Sequence, residues 1–113
     1  MAKVKIYIAS PYTIGDKLEN VARSIATANA LMQLGFVPFW PLHSHYHDEL
    51  YSHPWHTWME IDKEWVSVCD GVLRLKGESK GADIEVAYAK ELGKPVFTEL
   101  WEVMDFFGIG EVE

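Results

Sequence analysis

The sequence predicts an α/β three-layer sandwich on a four-stranded parallel sheet, and three observations carry that prediction. Short β-rich runs alternate with stretches of helical period along the chain. The first such run, residues 4–9, has no clean polar/apolar alternation, as expected of a central strand covered on both faces. Turn residues punctuate the changes of period, with Gly35 and Gly93 closing two of the helical stretches. Alternating elements imply right-handed crossovers between parallel strands. The result is a small Rossmann-like (flavodoxin-like) sandwich with strand order 2-1-3-4, one domain over residues 1–113.

Taken in order, strand one ends in a turn-rich loop, Ser10-Pro11-Tyr12-Thr13-Ile14-Gly15. Asp16 with Glu19 three residues on resembles a capping box and opens the first helix. Leu18, Val21, Ala22, Ile25, Ala28 and Met32 form its expected apolar stripe, with Asn29 on the same side as a core or interface amide. Residues 36–40 form a second strand, which Pro38 assigns to an edge. Residues 41–54 are the least regular part, expected as a lid or a site wall. A third helix spans about residues 55–69, a third strand 70–75, a helix follows the turn at 77–81, and a last strand and short helix close the chain.

Composition sets outer limits. With 49% hydrophobic residues in 113, the chain is long enough for one core and is globular rather than disordered. A net charge of −7 without a basic run argues against a groove for long nucleic acid, though not against one small phosphorylated ligand. Cys69 is the single cysteine, so no internal disulfide or CxxC zinc pair is expected. No run approaches a membrane span or a signal peptide, and the expected location is cytoplasmic.

Two carboxylates stand where helical period puts apolar residues. Asp62 falls within a stripe of Trp55, Trp58, Met59, Trp65 and Val66, and Glu85 interrupts Ala82, Val86, Ala89 and Leu92. An uncompensated buried carboxylate costs a large share of a small domain's net stability, so both are read as acids lining a cleft. In such sheets ligands bind beyond the C-terminal strand ends, at the switch point between strands one and three. Ser10, Pro11, Ser79 and Gly81 all fall there. Ser79 and Gly81 begin a helix whose free N–H groups suit an anion, and they read equally as a turn and an N-cap. A carboxylate pair in differing environments is the arrangement that cleaves glycosidic bonds, one acid attacking the anomeric carbon and the other protonating the leaving group. Tyr7, late in the first strand, would hydrogen-bond the attacking carboxylate and hold it ionised. The alternatives are a cap or salt-bridge role for each acid and a core role for Tyr7. His43, His45 and His47 alternate and could share a metal, but no clear fourth ligand accompanies them. The expectation is no metal, with His45 a polar contact in the cleft. The tryptophans at 40, 55, 58 and 65 read mostly as core, with one or two able to stack on a nucleobase.

These residues, in this order, resemble the nucleoside 2-deoxyribosyltransferase superfamily. The resemblance rests on Tyr7 and Ser10-Pro11 at the first strand, and on Asp62 eight residues before Asp70-Gly71-Val72. Ser79 six residues before Glu85, and Gly93-Lys94-Pro95-Val96 after it, complete the set. It covers residues 4–98 and implies Glu85 as the nucleophile forming a covalent deoxyribosyl-enzyme, Asp62 as the acid assisting departure of the base, and Tyr7 as the residue orienting Glu85. Ser79, where nucleoside transferases tend to have aspartate, makes the pattern most similar to the 2′-deoxynucleoside 5′-phosphate N-hydrolases. A second carboxylate there would repel a phosphate dianion. Thr13 stands near the place of an arginine in those hydrolases, with Lys80, Arg23 or a loop histidine as substitutes. The implied activity is hydrolysis of deoxynucleoside 5′-monophosphates without a cofactor, in a homodimer or higher homo-oligomer. Base exchange between nucleosides and non-catalytic nucleotide binding are the alternatives.

Overall fold

In the computed structural model, which describes residues 3–41 and 44–108 (backbone alone at 44–46), β1 (Lys5–Ala9) is the spine of the sheet. It pairs in parallel with β2 (Val37–Phe39) on one side and β3 (Gly71–Arg74) on the other. Beyond β3 lies the two-residue β4 (Val96–Phe97), giving the expected order β2-β1-β3-β4. Pro38 sits on the edge strand opposite Ile6, where its missing N–H interrupts no inner ladder. Residues Ile6 to Ala9 are fully buried, which explains their unbroken apolar character.

Helices cover both faces. On one side α1 (Lys17–Gln33) and α5 (Leu100–Phe107) enclose Ile6, Ile8, Leu31, Phe36, Leu73, Phe97 and Val103. On the other, α3 (Trp55–Val68) and α4 (Lys80–Glu91) enclose Tyr7, Ala9, Val66, Val72, Ala82 and Ala89. Cys69 is buried in this second layer, where burial pushes its thiol up to about 11 and leaves it unreactive. Among the described residues no helix is long and apolar enough to cross a membrane.

The stripe expected of α1 packs only in part, Ala28 being buried as expected. Its buried residues are Asn20, Ser24, Ala28 and Leu31, while Leu18 is 82% exposed and Ile25 and Met32 also face outward. Asn29 is exposed too, and is not a core amide. Small side chains let the helix approach the sheet, and the polar ones are satisfied by carbonyls of the helix itself and of the loop before it. Ser24 Oγ donates to the Val21 carbonyl at 2.8 Å, and Asn20 Nδ2 donates to the Tyr12 and Ile14 carbonyls at 3.2 and 3.0 Å. The helix start is as expected, with Asp16 Oδ1 accepting from the Glu19 N–H at 3.1 Å.

The second difference is α2 (Ser44–Leu50), two turns of helix inside the stretch expected to be irregular. Asp48 ties this helix to α3 by accepting from the His53 N–H at 2.9 Å and from Trp58 Nε1 at 2.7 Å. That tether runs through side-chain contacts five and ten residues along the chain, which helix propensity alone does not reveal.

Candidate active site

Beyond the C-terminal strand ends opens a cavity of about 570 Å³, within the roughly 300–1,000 Å³ of small-molecule sites. Its walls come from four places. The loop after β1 supplies Ser10, Tyr12 and Thr13, and the segment between β2 and α3 supplies Pro41, Asp48 and His53. From α3 come Trp55, Trp58, Met59 and Asp62, and from the turn after β3 and the start of α4 come Glu78, Ser79, Lys80, Gly81 and Glu85. Asn20 holds the first of these walls through its two carbonyl contacts, a role that its polar character on a helix concealed.

Glu85 is only 4% exposed, set between Ala82 and Ala89 on the sheet side of α4. Asp62, half-buried on α3, comes close enough for the two carboxyls to interact directly. Burial first, and then the Asp62 carboxyl, hold Glu85 well above the ordinary carboxylate range. Nearby Tyr7 and Arg74 act in the opposite direction. The two acids that the helical period singled out therefore meet at one wall of the cavity.

Tyr7 lies behind that wall and does not line the cavity. Its ring stacks on Phe39, centroids 5.7 Å apart, and Phe39 stacks on Trp65 at 4.5 Å. Burial, then the charges of Glu85 and Asp62, push the Tyr7 hydroxyl well above its usual value, so it stays protonated. The hydroxyl neighbours Glu85, yet their contact falls short of a good hydrogen bond and leaves the oxygen buried without a partner. A small side-chain shift would complete the bond.

Ser79 is the N-cap of α4, accepting from the Ala82 N–H at 3.1 Å. Ser10 lines the cavity with its hydroxyl donating to the Pro11 carbonyl at 3.0 Å. Pro11 itself is buried outside the cavity wall and packs against Gly77 instead. Gly77 adopts φ +121°, and a Cβ there would sit 2.7 Å from Pro11 Cγ, so this glycine serves the backbone crossing. Gly81 is less constrained, since a Cβ would meet Met59 Sδ at 3.4 Å, and it leaves room at the cavity wall. The side chains of His43 and His45 lie outside the described residues, and among the described ones no group of three His, Cys, Asp or Glu is arranged for a metal.

Trp55 and Trp65 are about half exposed and so are not core residues; Trp55 and Trp58 face the cavity with Tyr12. Of the cations considered in place of the arginine, Lys80 lines the cavity, whereas Arg23 donates to the Lys76 carbonyl at 2.7 Å and lies outside it. Lys17 is a lining cation that the periodicity did not single out.

Fold and site together define a parallel α/β protein with an acid pair, one member buried and one half-buried, at its switch point. Residues 4–98 match the model of a family described as a domain of unknown function, DUF4406, and the chain belongs to that family. Among curated proteins none matches. The chain is similar in structure to a 2-deoxyribosyltransferase from the psychrotolerant bacterium Bacillus psychrosaccharolyticus, with a TM-score of 0.62 and 22% identity over 90% of this chain and 81% of that one. It is also similar to a 2-deoxyribosyltransferase from Leishmania mexicana, with a TM-score of 0.62 and 19% identity. That match covers 82% of this chain and 61% of the Leishmania chain. The likeness is one of fold, and the fold is the one expected from the sequence.

Proposed function

We propose that the protein cleaves the N-glycosidic bond of a 2′-deoxynucleoside unit through a covalent deoxyribosyl-Glu85 intermediate. The observation that supports it most is the meeting of the Glu85 and Asp62 carboxyls beside an aromatic-walled cavity. In the free site the pair shares a proton. In the reacting complex the proton sits on Asp62, and Glu85, ionised and steadied by the Tyr7 hydroxyl, attacks C1′. The C1′–N bond breaks with its electron pair going to the base, which takes the Asp62 proton. Water then attacks C1′, giving its proton back to Asp62 as the ester bond to Glu85 breaks. No cofactor takes part in this scheme.

The substrate we propose first is a 2′-deoxynucleoside 5′-monophosphate, with hydrolysis as the outcome. Ser79, a hydroxyl in place of a carboxylate, and the lining cations Lys17 and Lys80 support a phosphate at that end. A specific observation favours a second reading, base exchange on unphosphorylated nucleosides. Asp48, Glu49, Asp62, Glu78 and Glu85 line the cavity against those two lysines, an excess that disfavours a dianion. The Bacillus neighbour, a biocatalyst for nucleoside synthesis, agrees with it. Self-association through the outward apolar side of α1 belongs to the same proposal, and sedimentation of wild type against Leu18→Glu tests it.

Chromatography of free base released from each deoxynucleotide and deoxynucleoside, with and without a second base, tests the reading. Base release without an acceptor supports hydrolysis, and a new nucleoside in its presence supports exchange. Turnover surviving in Glu85→Ala, or none by the wild type on any of these substrates, overturns the proposal.

A further inference from the structure

Arg74 ends β3 and lies on the sheet face that carries Val72 and Tyr7. Its side chain is only 15% exposed, an uncommon place for a guanidinium. One nitrogen donates to the Leu75 carbonyl. The other donates to the Gly77 carbonyl at 2.9 Å and to Asp83 Oδ1 at 3.0 Å. A single planar group thus spans the strand end, the glycine turn and the first turn of α4. Gly77 is pressed against Pro11 and Arg23 donates to the Lys76 carbonyl, but of these contacts only those of Arg74 join the turn to α4. Ser79 caps the helix that this turn leads into, and Glu85 lies on that helix, so the turn sets the place of both.

We propose that Arg74 is a positioning residue for Glu85: it joins the 75–78 turn to the first turn of α4 and so sets a fixed positive charge at the start of the helix that carries the attacking carboxylate. The role as attacking group rests on the glycosyl-cleavage reading, but the placement of the charge does not. The groups facing Glu85 are Tyr7 from β1, Asp62 from α3 and Arg74 from β3, with Asp83 on its own helix already paired to Arg74. Lys17 and Lys80 stand elsewhere on the cavity wall. Burial, then Asp62, opposes ionisation of Glu85, and Tyr7 and, less strongly, Arg74 favour it. An arginine holds its charge at any working pH, and its fork makes bonds that a lysine cannot reproduce. Charge and clamp can therefore be separated by substitution.

The experiment tracks the Glu85 carboxyl by 13C NMR titration, its signal assigned with Glu85→Gln, in wild type, Arg74→Met and Arg74→Lys. Arg74→Met should raise the Glu85 midpoint, and should lower kcat/KM for the deoxynucleotide or deoxynucleoside cleaved by about 100-fold. The acid limb of the pH–rate profile should move up with it. Arg74→Lys should keep the midpoint near wild type yet raise KM, because the charge remains and the clamp does not. Arg74→Gln, which keeps a donor for the Gly77 carbonyl, replaces Arg74→Met if that variant fails to fold. An unchanged Glu85 midpoint in a folded neutral variant overturns the proposal. Since the titration needs no turnover, a wild type without activity refutes the glycosyl reading alone.

Discussion

The two faces of this sheet differ in what they are made to do, although one strand serves both. Along β1, Ile6 and Ile8 point into an apolar layer with Leu31, Leu73 and Val103, where no ionisable group is found among the described core residues. Tyr7, between them, points into the layer that also holds Glu85 and, at its margin, Asp62 and Arg74. Alternation along a strand separates these side chains by a single residue. The α1/α5 face holds the sheet together, and that lets the α3/α4 face carry a buried carboxyl pair that a domain of this size tolerates only with support.

If the division holds, substitutions on the two faces should fail in different ways. Short of removing Glu85 itself, the largest effect is expected for Asp62→Asn, which removes the proton donor: kcat for base release should fall by about 10²–10⁴-fold with the melting temperature preserved or raised. Next is Leu31→Ala on the apolar face, which should lower the unfolding free energy by about 2–5 kcal/mol in urea titrations while kcat per folded molecule stays as it was. A smaller loss, about 1–3 kcal/mol, is expected for Asn20→Ala, which leaves the Tyr12 and Ile14 carbonyls without their donor. Because that loop walls the cavity, KM should rise more than kcat falls, which would mark Asn20 as a link between the faces.

The smallest effect is one of slope. Burial and Asp62 raise the Glu85 pKa, so the folded chain holds this proton more tightly than the unfolded chain does. The stability it contributes is full below the ordinary carboxylate range and is lost as pH rises through the raised value. Glu85→Gln keeps that contribution at every pH. Its melting temperature should exceed wild type by a margin that widens between about pH 5 and pH 8. A constant margin would show that Glu85 is ionised throughout.

Much of the site was legible because a carboxylate on an apolar helical stripe is conspicuous. Asp62 and Glu85 stood out by period alone, and Ser79 and Ser10 by their place after strand ends. Pro11 stood out for the same reason and proves to pack the turn. Asn20 and Arg74 were not legible as site residues. Most of the bonds that define them run to backbone carbonyls, six and eight residues away for Asn20, one and three for Arg74, whose side-chain partner is Asp83. Main-chain acceptors leave no mark in residue type. The face of α1 was misjudged on similar grounds, since Asn20 and Ser24 looked less suited to burial than Leu18 and Ile25.

The alternation of periods was enough to determine a parallel α/β sandwich and the presence of two misplaced acids, while the strand order followed from the way folds of this kind connect their strands. Those features arise from local sterics and from which side chains avoid water. Only the tertiary structure decided that the acids meet, which face of α1 packs, and that 44–50 is helical. Each of these depends on how separate elements come together, and on hydrogen bonds whose geometry exists only after folding.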